Sequence, residues 1–271
     1  ARADVVDRNG VLLATSLPTP SLYADPAAVL DAGEAADKLA AAFPDMDRRA
    51  LLAKLQAKSR FVWLRRNLSP QQQYEINRLG IPGVAFQMEN RRVYPQGRLA
   101  AHVLGATDVD GRGISGVEKQ FDEALLSARQ PLALSVDVRL QAIMHEELSR
   151  AMNKFSAIGA AGLMTDVRTG EVVAMVSLPD FDANNKAALG GDAAFNRATK
   201  GVYELGSSFK LFTAAMALDS GTVAWNGGYD ASEPIQVARF TISDYHGKNR
   251  WLSVPEIIIY SSNIGAAKMA V

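Results

Sequence analysis

A serine and a lysine three residues apart, Ser207 and Lys210 in YELGSSFKLF (Tyr203 to Phe212), are the side chains whose types and spacing most directly suggest chemistry. Residues i and i+3 share a helix face, so the hydroxyl and the amine can meet. A lysine can take the serine's proton only when neutral, and neutrality near pH 7 costs about 4 kcal/mol relative to lysine in water. Burial and the positive end of a helix dipole both push a lysine that way. Gly206 and the apolar run after it predict such a helix start at this point. A helix built for stability alone more often carries Glu or Gln three residues after a capping serine. The cation in the first turn is thus a misfit of up to about 1 kcal/mol, of the kind a lysine base requires. Backbone N–H groups at the same helix start can also stabilise an oxyanion beside Ser207.

Alone, the pair is weak: about one S-x-x-K is expected by chance in a chain this long. The simpler reading of it is a helix-capping Ser207 and a solvated Lys210. A second element changes the balance. Ser261-Ser262-Asn263 is the one S-x-N in the chain, between the apolar run IIIY and IGAAKMAV. By itself it is a polar turn; beside Ser207 and Lys210 it supplies a second wall for a serine site that uses lysine as base. Other chemistries fare worse. His102, His145 and His246 lack metal-ligand spacing and read as surface or capping residues. No G-x-S-x-G elbow or phosphate-binding loop is present, and no carboxylate pair stands out by its spacing.

The elements that must position these residues follow from composition and pattern. With 271 residues, 48% hydrophobic and 21% charged, the chain has the profile of a soluble globular protein of roughly two domains. Basic and acidic residues balance at 29 each, so no basic surplus points to nucleic acid or an anionic membrane. The clusters RFVWLRR (Arg60 to Arg66) and NRR (Asn90 to Arg92) read as solvated faces. Absence of cysteine excludes disulfides, thiol catalysis and thiolate metal sites. No run of about 18 apolar residues is present to span a membrane. A start at Ala1 rather than methionine leads us to expect a processed chain, with any upstream membrane anchor removed.

Residues 1 to 25 read as extended, broken by the turn DRNG (Asp7 to Gly10). Residues 26 to 58 carry helical spacing, and Ser69-Pro70 caps a helix running toward Leu79. Val84 to Val93 reads as a strand. GRGISG (Gly111 to Gly116) is a glycine-rich turn whose spacing and context do not fit a dinucleotide fingerprint. A boundary falls near Ser127 to Pro131, after which LALSVD looks like a strand. Val138 to Phe155 is an amphipathic helix with Leu140, Ile143, Met144, Leu148 and Met152 on one face. Ala161–Thr165 and Glu171–Val176 make a hairpin around DVRTG, so the second half reads as mixed α and β with antiparallel strands.

The whole chain resembles a class B penicillin-binding protein of the division-specific (FtsI-type) peptidoglycan D,D-transpeptidase branch. RADVVDRNGVLLA (Arg2 to Ala14), RVYPQG (Arg92 to Gly97), AHVLG (Ala101 to Gly105) and GISGVEKQFD (Gly113 to Asp122) resemble that family's N-terminal pedestal. LSVDVRLQ (Leu134 to Gln141), DVRTGEVVAMVSLPDFDANN (Asp166 to Asn185), NRAT (Asn196 to Thr199), YELGSSFK and YSSNIG resemble its catalytic half. The resemblance implies an α+β fold: an elongated dimerisation-type pedestal over residues 1–130, then residues 131–271 as the N-terminal portion of a β-lactamase-like transpeptidase domain with antiparallel sheet and helices. It implies Ser207 as nucleophile, Lys210 as general base, Ser261 as a proton relay toward the leaving group, and Asn263 holding the lysine and the substrate amide. Two departures stand out. Leu205 replaces the proline usual before the motif's glycine, which alters the loop more than the chemistry. No lysine begins K-[ST]-G, the family's third motif, so a C-terminal portion is expected beyond Val271.

The same resemblance implies septal cross-linking of stem peptides ending in D-Ala-D-Ala through a serine acyl-enzyme, inhibited by β-lactams, with no metal or organic cofactor. It implies a place on the periplasmic face of the bacterial inner membrane and division-machinery partners, among them a glycan-polymerising protein. A β-lactamase or carboxypeptidase would share Ser207 and Lys210 without needing the pedestal. A lactam-sensing domain would be acylated without turnover, and a non-enzymatic division scaffold would need no reactive serine.

Overall fold

The DRNG turn joins β1 (Val5–Val6) to β2 (Leu12–Ala24) as an antiparallel pair. Asp7 closes it by accepting the Asn9 and Val11 N–H groups at 2.7 and 2.8 Å. Helical spacing then yields α1 (Ala32–Ala42) and α2 (Arg48–Leu55), each N-capped by an aspartate, Asp31 and Asp47. After β3 (Val62–Arg65), Ser69 and Gln72 form a reciprocal capping box that starts α3 (Pro70–Arg78). β4 (Val84–Val93) spans the expected residues and pairs antiparallel with β2, from Thr15 opposite Val93 to Ala24 opposite Val84. Leu22, Leu39, Phe43, Leu51, Leu55, Leu64, Leu68 and Ile76 are buried between these elements. Each such side chain is worth about 1.5–3 kcal/mol of hydrophobic stabilisation.

The computed structural model describes residues 1–271, the side chain of Lys186 excepted, as two compact units, Ala1–Gly201 and Val202–Val271. In the first unit, α4 (Ala101–Leu104), α5 (Gly116–Gln120) and α6 (Asp122–Ser127) lead to β5 (Leu132–Ala133). β5 is shorter than LALSVD suggests, and it joins β1 in parallel, not antiparallel. α7 (Val138–Lys154) packs on the hairpin of β6 (Ala160–Thr165) and β7 (Val172–Leu178), and α8 (Arg197–Lys200) follows. Leu140, Met144, Leu148 and Met152 are half-buried as their spacing predicts, whereas Ile143 is exposed. The side chain of α7 most deeply buried is polar. Gln141 bonds the Leu99 and Met175 carbonyls and the Met175 N–H, which satisfies it inside the fold.

The basic clusters are solvated only in part: Arg60 and Arg91 are exposed, whereas Arg65 and Arg66 are half-buried and Arg92 is buried. Arg60, Arg65 and Arg66 pair with Asp25, Asp45 and Glu89, and Arg92 is buried against Glu118. Glu118 also takes Arg2 at 2.5 Å, so Arg2 and Arg92 converge on one buried carboxylate. The GRGISG turn makes this possible: a Cβ at Gly113 would meet the Glu118 carbonyl oxygen at 1.9 Å. The histidine expectation also changes. His102 bonds the Ala193 carbonyl at 2.8 Å, and His145 meets the Asp180 carboxylate at 2.8 Å.

The second unit begins its regular structure with one 3-10 turn, Gly206–Phe209, feeding α9 (Lys210–Asp219). β8 (Gly228–Asp230), β9 (Ile235–Val237), β10 (Phe240–Ile242) and β11 (Trp251–Ser253) form two antiparallel pairs, β8 with β11 and β9 with β10. α10 (Val254–Ile259) and α11 (Asn263–Ala270) complete it. Ala214, Ala217, Leu252, Ile257, Ile264 and Met269 are buried together and set α9, α10 and α11 against one another.

Candidate active site

Ser207 lies inside the 3-10 turn, behind Gly206, whose φ of +55° suits glycine. No side chain caps this turn or α9, so Ser207 is not an N-cap. Lys210 is not a free surface cation either. Its Nζ lies 3.2 Å from Ser207 Oγ, 2.6 Å from the Ser261 carbonyl oxygen, 3.0 Å from Ser261 Oγ and 2.7 Å from Asn263 Oδ1. The simple cap-and-solvated reading therefore fails on both residues, and all four residues singled out in the sequence meet at one amine.

The chain reaches this arrangement by a helix stop and a helix start. α10 opens with a Ser253–Glu256 capping box and proline in its first turn. It closes as a Schellman motif: the Ser262 N–H bonds the Ile257 carbonyl and the Ser261 N–H bonds the Ile258 carbonyl. Ser261 thereby occupies the left-handed position, at φ 53°, where glycine is usual. A serine there costs roughly 1–2 kcal/mol of backbone strain, and it places both its carbonyl and its hydroxyl on Lys210. Ser262 then caps α11 by accepting the Gly265 N–H at 2.9 Å. Asn263 follows, and its Nδ2 donates to the Ser243 carbonyl at 2.8 Å, which orients Oδ1 toward Lys210.

Hydrogen-bond inventory indicates what the amine can do. The Ser261 carbonyl and Asn263 Oδ1 can only accept, so they take two N–H bonds. The remaining position faces two hydroxyls, Ser207 and Ser261. In the neutral amine that position is a lone pair, able to accept a proton from one hydroxyl and return it through the other. Burial pushes the Lys210 ammonium below the ordinary lysine range, and the Asp244 carboxylate opposes that shift. Asp244 accepts the Ser262 hydroxyl at 2.7 Å and the Ile264 N–H at 3.0 Å. No spacing in the sequence links it to the serine site, because the two partners are 18 residues apart with β11 and α10 between them.

Residues 1–147 match the penicillin-binding protein dimerisation domain, and residues 160–271 match the penicillin-binding protein transpeptidase domain. The chain belongs to the penicillin-binding proteins. It is 42% identical to the probable peptidoglycan D,D-transpeptidase FtsI of Caulobacter vibrioides, over 100% of this chain and 46% of that protein. It is 33% identical to the peptidoglycan D,D-transpeptidase FtsI of Escherichia coli K12, over 100% of this chain and 51% of that protein. The chain thus spans about half the length of the curated relatives it matches. In fold it is similar to a crystallised peptidoglycan synthetase from Bifidobacterium adolescentis, with a TM-score of 0.68 and 23% identity over 99% of this chain and 58% of that one. No helix among the described residues of this penicillin-binding protein is long and apolar enough to cross a membrane.

Proposed function

We propose that this chain carries the acylation site of a septal peptidoglycan D,D-transpeptidase. The observation that carries the reading is the single amine of Lys210 in bonding distance of Ser207, Ser261 and Asn263. In the reaction, Ser207 Oγ attacks the carbonyl between two terminal D-alanines while its proton passes to Lys210. The peptide C–N bond breaks, Ser261 relays the proton to the departing amine, and the acyl group stays on Ser207. A neighbouring stem peptide's amine then attacks the ester, loses its proton to the same base and frees the serine. Asn263 holds Lys210 and the substrate amide. A β-lactam would open its ring on Ser207 by the same first step.

The division at residue 130, with a dimerisation-type pedestal before it and transpeptidase elements after it, is part of the proposal. So are the periplasmic face of the inner membrane, an N-terminal anchor, and division-machinery partners that include a glycan-polymerising protein. The relatives' names, peptidoglycan D,D-transpeptidase FtsI, support the enzymatic reading; these further points rest on the resemblance of the sequence motifs. The test is mass spectrometry of the complete protein after exposure to penicillin. A single adduct on Ser207, absent from a folded Ser207→Ala variant, is expected. An adduct that persists in Ser207→Ala removes the nucleophile assignment. Because Ser207 makes no capping bond and its bond to Lys210 is exposed, the substitution should change stability by no more than about 1 kcal/mol.

A further inference from the structure

We propose that Asp244 is a positioning residue for this site: its carboxylate fixes the start of α11, and with it Ser261 and Asn263, against Lys210. The inference rests on the acylation reading above. Asp244 uses both oxygens on consecutive parts of the turn, Oδ2 accepting the Ser262 hydroxyl at 2.7 Å and Oδ1 accepting the Ile264 N–H at 3.0 Å. The neighbouring Ser243 carbonyl takes the Asn263 amide at 2.8 Å. Two adjacent loop residues therefore hold three consecutive residues, Ser262, Asn263 and Ile264. Ser262 is buried and lies between the two residues that contact the lysine. Fixing it fixes both neighbours.

The type of residue supports the same role. A carboxylate at a helix N-terminus is favoured by the dipole and makes stronger bonds than a neutral acceptor. Its charge, however, raises the Lys210 pKa against the effect of burial, which a lysine base does not want. Electrostatics at the amine gives no reason for an aspartate here. Its two hydrogen bonds to the turn do.

Penicillin acylation of the complete protein, resolved into an initial binding constant and an acylation rate constant, tests the proposal. Asp244→Ala is expected to lower the rate constant about tenfold or more while changing initial binding less than about twofold, as small misplacements of reacting groups do. Asp244→Asn, which keeps one of two acceptor oxygens, should fall between. Ser262→Ala cuts the same link from the other end and also removes the cap on the Gly265 N–H. The double variant Asp244→Ala/Ser262→Ala should then lose little more than either single one, because residues acting through one contact are not additive. An Asp244→Ala rate constant within about twofold of wild type, against the large loss expected for misplacement, would overturn the proposal. So would losses that multiply in the double variant. If Asp244→Ala does not fold, Ser262→Ala and Asp244→Asn decide, and unaltered acylation in both rejects the link. Failure of the wild-type protein to label at Ser207 would instead reject the acylation reading itself.

Discussion

At the scale of single residues, Lys210 is where the proposed function and physical cost coincide. It is drawn from water far enough to lower its pKa, yet it is surrounded by Ser207, Ser261 and Asn263, with the Asp244 carboxylate nearby. If its role is that of a base, acylation should rise with pH, because the neutral fraction grows as the ammonium deprotonates. The rising limb should lie below the value of 10.5 for ordinary lysine. Lys210→Arg keeps charge and reach but cannot become neutral. It should acylate nearly as poorly as Lys210→Ala, about a hundredfold or more below wild type, with no rising limb. An arginine variant that acylates well would assign Lys210 a role through charge alone. Ser207 and Lys210 were legible in the sequence because their contact is local, within one turn. Ser261 and Asn263 became legible only when read with that pair. Asp244 was not, since nothing in an 18-residue separation predicts that a loop carboxylate reaches the Ser262 hydroxyl.

At the scale of elements, the site depends on how α10 stops and how closely α11 returns. Ser261 sits at the glycine position of the Schellman motif. Ser261→Gly should therefore relieve backbone strain and raise stability by about 1 kcal/mol, while acylation slows for want of the hydroxyl. Thermal melts and labelling rates on one preparation check both, and a variant with unchanged labelling would remove Ser261 from the proton path. Gly265 sets the approach of α11 to α10: a Cβ there would meet Ile257 Cγ1 at 2.6 Å, and Ile257 is fully buried and cannot swing aside. Gly265→Ala should cost about 1–3 kcal/mol by overpacking and slow acylation by moving Asn263. A melt unchanged from wild type would contradict that reading. Elements with strong local signals, such as the Ser69–Pro70 helix start, were readable in advance, and so was the Val84–Val93 strand. The two-residue β5 was not: its parallel pairing with β1 comes from long-range contact that no local pattern encodes.

At the scale of the whole molecule, the α+β character and the presence of a dimerisation and a transpeptidase domain followed from pattern and resemblance, whereas the ion pairs that tie distant segments together, and the division of the structure into units at Gly201 and Val202, did not. Arg2, Arg92 and Glu118 come from three separate sequence motifs, and only the folded chain shows them sharing one buried site. The second unit raises a different question. Leu211, Phe212 and Met216 on α9 are 58%, 63% and 59% exposed, a contiguous apolar strip on the helix that follows Ser207. The resemblance assigns the family's acylation pocket a third wall bearing K-[ST]-G, a motif this sequence lacks. Residues 1–271 supply the Ser207 turn and the Ser261–Asn263 turn. A protein limited to these residues should therefore bind a hydrophobic dye such as ANS, and replacing Phe212 with serine should reduce that binding. It should also label with penicillin at least about tenfold more slowly than a longer polypeptide that carries the third motif, because uncompleted positioning is costly in rate. Equal labelling rates for the two proteins would mean that the lysine-centred pair of turns is sufficient for acylation, and that the third wall serves the acceptor step.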